Sequence, residues 1–158
     1  MTNDDTPLPA LSITDVTMAE GNAGLTAFVF TVNLSAPSAQ TVTVDVSVGA
    51  GTASAGSDYQ APVSTMLTFT PGDVSESFTV QVLGDTEFEL NETFLVSMSN
   101  AVNATLADAQ GTGTIQNEDA QAVAGNAVPV PTLGDWHKLF LMLMVLSAGL
   151  MVSHRRLR

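Results

Sequence analysis

The chain has 158 residues, a formal net charge of −12 and no cysteine. That charge repels a phosphate backbone, which excludes nucleic acid as a partner, and the missing cysteine removes disulfides and thiolate metal centres from consideration. Charge is also segregated: Lys138, Arg155, Arg156 and Arg158 are the only basic side chains besides two histidines, whereas all 16 carboxylates lie at or before Asp135.

Residues 1–10 read as an N-terminal tail with neither a basic nor an apolar run, so no signal peptide is visible. If the acidic part is exported, the expectation is either a different start or a longer precursor of which this chain is a fragment.

Residues 11–119 read as one domain, long enough to bury a core without staples. Its period is two throughout. Phe28, Phe30, Val32 and Leu34 alternate with Val29, Thr31 and Asn33. Val42, Val44, Val46 and Val48 do so with Thr41, Thr43, Asp45 and Ser47, and Phe78, Val80 and Val82 with Ser77, Thr79 and Gln81. Such alternation predicts half-buried strands. Further strands over 11–18, 65–70, 93–99 and 111–116 bring the total to seven, separated by turn signals such as Pro71-Gly72-Asp73. Seven short strands predict an all-β fold, a seven-stranded antiparallel, Ig-like β-sandwich. Residues 120–130, rich in small residues and ending in proline and valine, read as a linker.

Residues 131–158 close the chain with an apolar stretch flanked by Trp136 and Lys138 on one side and by three arginines on the other. The stretch is apolar on every face and its flanks suit the two interfaces, which predicts a transmembrane helix over 139–153; the alternative is a buried C-terminal helix of a soluble domain. Arg155, Arg156 and Arg158 supply the positive charge of a cytoplasmic end, so the N-terminus is expected outside.

Up-and-down strand order gathers Glu20, Asp58, Asp85, Glu87, Glu89, Glu92, Glu118 and Asp119 at one end of the sandwich, leaving Asp73 and Asp108 at the other. Two carboxylates about 5 Å apart repel by about 3 kcal/mol at an effective dielectric near 20, and no lysine or arginine precedes Lys138 to offset them. Oxygen donors alone, from several loops, suit Ca²⁺ better than zinc or copper; the alternative is a solvated acidic face. Glu89 and Glu92 are three apart, so both reach one site only if the chain approaches the 93–99 strand irregularly. Both histidines, His137 and His154, lie outside the domain, which leaves no nucleophile and histidine pair and argues against an enzyme.

The runs Met18-Ala19-Glu20-Gly21-Asn22, Gly51 through Tyr59, Leu67 through Asp73, Gly84-Asp85 through Phe94, and Thr112 through Asp119 together resemble the Calx-beta domain over all of 11–119. The resemblance implies Ca²⁺ bound at one end of the sandwich, with Glu20, Asp58, Asp85, Glu89, Glu92, Glu118 and Asp119 as ligands. Fewer acids than that family's richest members imply one or two ions.

Val130-Pro131-Thr132-Leu133, with Trp136 following and the arginines behind the helix, resembles the IPTL-CTERM sorting signals. That resemblance implies an exosortase-type enzyme as partner, which removes the helix and passes the protein from the inner membrane to the cell surface; an uncleaved anchor is the alternative. The combined expectation is a bacterial, surface-displayed, calcium-binding module, serving as an adhesive, matrix or spacer unit toward an unidentified surface partner. Its alternative is a structural repeat that binds no metal, a piece of a larger membrane-anchored surface protein.

Overall fold

The computed structural model describes residues 7–60, 62 and 64–121. Ten strands follow one another in these residues, β1(Ala10–Ile13), β2(Val16–Ala19), β3(Gly24–Leu34), β4(Val42–Ala50), β5(Tyr59–Gln60), β6(Thr65–Phe69), β7(Ser75–Gly84), β8(Glu92–Val102), β9(Thr105–Asp108) and β10(Gln110–Gln116). They form two five-stranded sheets, ordered β5-β7-β3-β1-β9 and β2-β10-β8-β4-β6. The fold is an all-β sandwich, and no helix occurs among the described residues.

The alternation seen in the sequence is the inside and outside of these sheets. Phe28, Phe30 and Val32 of β3, Val42, Val44 and Val46 of β4, Val80 and Val82 of β7, and Phe94 and Val96 of β8 are all at most 1% exposed. Each such side chain contributes about 1.5–3 kcal/mol by leaving water. Phe94 is the hub of this core. Its ring stacks on Tyr59 at a centroid distance of 5.0 Å and meets the rings of Phe28 and Phe30 at 5.8 and 5.9 Å. On its remaining side lies Gly113, directly opposite Phe94 in the register of β8 and β10.

Strand number and direction depart from the expected seven antiparallel strands. The stretch 11–18 is two strands, because the chain changes sheets at Thr14 and Asp15: β1 pairs with β3, and β2 pairs with β10. Side chains hold the crossing. Thr14 Oγ1 accepts from Thr31 N in the first sheet (3.0 Å) and Asp15 Oδ1 from Thr112 N in the second (2.7 Å). The crossing also makes two pairings parallel, β1 with β9 and β2 with β10. Strand β9 gave no alternation because all four of its residues are exposed, and β5 is only two residues long. A turn with Asn103 at φ 59° joins β8 to β9, and Asn103 Nδ2 donates to Thr41 O.

Among the described residues no helix is long and apolar enough to cross a membrane. The transmembrane helix expected over 139–153, most of the linker 120–130 and the sorting signal lie outside the described residues.

A Cβ placed on Gly113 would fall on the Phe94 ring, which its aromatic neighbours hold in place, whereas one placed on Gly49 would meet nothing within 4 Å. Gly113→Ala should therefore destabilise the fold by about 1–3 kcal/mol through overpacking. Gly49→Ala should be neutral or slightly stabilising. Urea unfolding of the two variants checks the contrast, and equal effects would contradict the packing described.

Candidate functional site

The acidic end is assembled by backbone and core before any charge is considered. Thr93 anchors the loop that carries Asp58: Ala53 N donates to Thr93 O (2.9 Å), and Thr93 N donates to Thr52 Oγ1 (2.8 Å). Asp58 closes the same loop on itself, its Oδ2 accepting from Ser54 N at 2.6 Å and its own N donating to Ser54 O at 3.1 Å. Next in sequence, Tyr59 is buried on Phe94, while Glu92 opens the strand that carries Phe94. The aromatic stack thus fixes the spacing between Asp58 and Glu92.

Glu89 reaches the pair through an irregular approach, as its spacing from Glu92 required. Residues 85–91 form no strand. Asp85 Oδ1 accepts from Glu87 N at 2.7 Å, Asn117 Oδ1 accepts from Glu89 N at 3.4 Å, and Asn91 Oδ1 accepts from Asn117 N at 3.1 Å. The outcome is one carboxylate oxygen from each of Asp58, Glu89 and Glu92 within 4.8 Å of the others.

Beside this triad lies Glu20, only 3% exposed and the one buried charged side chain among the described residues. Gly84 permits its position. A Cβ there would collide with the carbonyl of Gly21 and come within 2.9 Å of that of Glu20, so only glycine lets β7 run this close and deliver Asp85 beside Glu20. Thr26 Oγ1 donates to Glu20 O. Asp119 Oδ1 accepts from Asn22 Nδ2 at 2.8 Å, while its Oδ2 is buried with no hydrogen-bond partner among the described residues. Glu118 is exposed, and its charge reaches Glu20.

Every perturbed carboxyl here is pushed in the same direction. Glu20 rises from an ordinary 4.5 to about 7, first by burial and then by the charges of Asp85, Glu118, Glu89 and Asp119. Glu92 rises to about 7 by burial, by its hydrogen bond to Asp58 and by the charges of Asp58 and Glu89. Glu89 is raised by burial and by Asp58, Asp85 and Glu87. No positive side chain among the described residues offsets these charges. A divalent cation fits the donor set: oxygens only, from separate loops, with one buried carboxylate oxygen, of Asp119, lacking a partner among the described residues.

All seven acids expected at the site stand at this one end, Asp58, Glu89 and Glu92 as one group and Glu20, Asp85, Glu118 and Asp119 around it. Sequence reasoning missed the neutral residues that hold them, Thr52, Ser54, Asn91 and Asn117. Asn91 and Asn117 stand at the two borders of the acidic segments, the signal that could have found them. The expected sorting residues Val130, Pro131, Thr132, Leu133 and Trp136, and Arg155, Arg156 and Arg158, lie outside the described residues.

Residues 3–125 match the family model of the Calx-beta domain. Sodium/calcium exchanger 1 of Canis lupus familiaris is 36% identical over 86 residues, which are 54% of this chain and 9% of the exchanger. That of Rattus norvegicus is 43% identical over 60 residues, 38% of this chain and 6% of the exchanger. The chain thus spans less than a tenth of the length of these relatives. Among solved structures, the apo-form Calx CBD1 domain superposes with a TM-score of 0.63 at 23% identity, covering 72% of this chain and 100% of that one. The calcium binding domain CBD12 of CALX1.1 gives 0.61 at 24% identity, covering 69% of this chain and 46% of that one. At these identities the likeness establishes the fold.

A carboxyl whose folded value is raised stabilises the fold through its protonated form, fully below about pH 4.5, and loses that contribution as pH rises through about 7. In chelator, the melting temperature should therefore fall between about pH 5 and pH 8. Glu20→Gln or Glu92→Gln should flatten that fall and raise the melting temperature at pH 8. A melting series in EDTA reads this directly, and a flat profile for the unaltered chain would show that the burial and crowding of these carboxylates do not limit its stability.

Proposed function

We propose that the chain, which belongs to the Calx-beta domain family, is a non-catalytic Ca²⁺-binding module whose acidic end takes the ion between Asp58, Glu89 and Glu92. The observation that carries this reading is the convergence of three carboxylate oxygens within 4.8 Å, in a region whose described residues include no positive side chain. Glu20, Asp85, Glu118 and Asp119 would complete the negative field and hold a second ion or its waters. Two of the similar proteins are named sodium/calcium exchangers and one solved structure is titled a calcium binding domain, which supports the choice of ion. Ion transport belongs to those longer proteins and is no part of the proposal.

Ca²⁺ would act here as the missing positive charge. It would tie the loop of Asp58, the segment 85–91, the start of β8 and the chain after β10 into one end. Affinity should fall near 0.1–1 mM, the range of extracellular modules whose sites keep some exposure. At about ten times that concentration the melting temperature should rise by roughly 5 °C. Glu92→Gln should remove most of the rise. If neither Ca²⁺ nor Mg²⁺ raised the melting temperature, the reading would fall to its alternative, a structural repeat that binds no metal.

The tail supports, in our reading, a role for this module on a bacterial surface as an adhesive, matrix or spacer unit. Pro131-Thr132-Leu133 with Trp136, the apolar run and the arginines support membrane insertion of a precursor with its N-terminus outside, followed by cleavage by an exosortase-type enzyme. In a host carrying such an enzyme, mature protein should lack the segment 139–158. Mass spectrometry that found an intact Arg158 on surface-exposed protein would favour an uncleaved anchor instead.

A further inference from the structure

The side chain of Asn117 hydrogen-bonds to two of the acidic segments, and it lies just past the end of β10 where the chain leaves the sandwich. Three of its polar groups are hydrogen-bonded. Oδ1 accepts from the backbone N of Glu89 at 3.4 Å, Nδ2 donates to the backbone O of Asp119 at 3.1 Å, and its own N donates to Asn91 Oδ1 at 3.1 Å. Asn91 immediately precedes Glu92. One asparagine therefore fixes the backbones of Glu89 and Asp119 and, through Asn91, the residue before Glu92, without presenting a charge of its own.

Neutrality matters at this point. Asp85, Glu87 and Glu89 crowd one of the two segments and Glu118 and Asp119 the other, and no positive side chain among the described residues stands between them. Like charges on the segments 85–91 and 117–119 oppose their close approach. An amide both accepts and donates, so it can hold two acidic backbones together at no Coulombic cost. A carboxylate in its place would have no donor for Asp119 O and would add to the repulsion.

We infer that Asn117, supported by Asn91, is a positioning residue for the cation site: it holds Glu89 and Asp119 in binding geometry and couples the occupied triad to the chain leaving β10. This rests on the Ca²⁺ reading above. Groups that orient ligands from behind commonly change metal affinity by about 10–100-fold when removed.

The test uses the full chain, Ca²⁺ as the probe, and the variants Asn117→Ala and Asn91→Ala, with Gln110→Ala as a control whose amide bonds Ser97 Oγ away from the site. Two quantities are read: the Ca²⁺ dissociation constant by calorimetry, and the rise in melting temperature on adding Ca²⁺. Asn117→Ala should weaken Ca²⁺ binding about tenfold and shrink that rise, with a smaller loss for Asn91→Ala and none for the control. The double variant should lose less than the sum of the two, because both residues belong to one chain of bonds. Hydrogen exchange should show that Ca²⁺ protects residues 117–121 in the unaltered chain and no longer does so in Asn117→Ala. If Asn117→Ala lowers both melting temperatures equally and leaves the dissociation constant unchanged, Asn117 is merely structural and the inference is overturned, while the Ca²⁺ reading stands. Should Asn117→Ala not fold, Asn91→Ala decides by the same criterion. Failure of the unaltered chain to bind Ca²⁺ would remove the reading and the inference together.

Discussion

The stack of Tyr59 on Phe94 is the contact on which both the core and the acidic end depend. Each ring is buried from its own sheet, and each stands beside an acid: Asp58 directly precedes Tyr59, and Glu92 lies two residues before Phe94. Apolar burial thus does what electrostatics opposes. It brings two carboxylates together and keeps them there, since either could retreat only by pulling an aromatic ring out of a core that also holds Phe28 and Phe30. Gly113 makes room for that ring from below, and Thr93, between Glu92 and Phe94, clips the Asp58 loop from the side.

The stability gathered in the middle of the sandwich is therefore partly spent in strain among like charges at one end. Glu20 and Glu92 carry most of it, both raised to about 7, first by burial and then by the neighbouring carboxylates. A proton relieves it locally and one group at a time, whereas a divalent cation relieves it between several groups at once and ties their loops together. The neutral ties around the cluster, Thr52, Ser54, Asn91 and Asn117, hold backbone rather than carboxylate oxygens, apart from Ser54 on Asp58. Most ligand oxygens are thereby left for an ion.

Glycine carries the other half of the arrangement. At Gly84 the close approach of β7 to the carbonyls of Glu20 and Gly21 admits no side chain, and it sets Asp85 against a buried glutamate. Glu20 would be costly there without a counter-charge, because burial and four neighbouring carboxylates act on it together.

The sequence by itself determined the sandwich, its main core positions and the end at which the acids gather. Those properties follow from period-two alternation in β3, β4, β7 and β8 and from strand order, both of which are local in the chain. Only the tertiary structure decided that residues 11–18 divide between two sheets, that β9 runs parallel to β1, and that Glu89 and Glu92 reach the same point despite a spacing of three. It also decided which neutral residues matter. Asn117 and Asn91 look like ordinary turn residues along the chain, and their role arises from bonds spanning 26 and 28 positions. Hydrophobic periodicity records which side of a strand faces the core; it carries no record of which distant backbone a side-chain amide will meet, because that is set by how the two sheets pack.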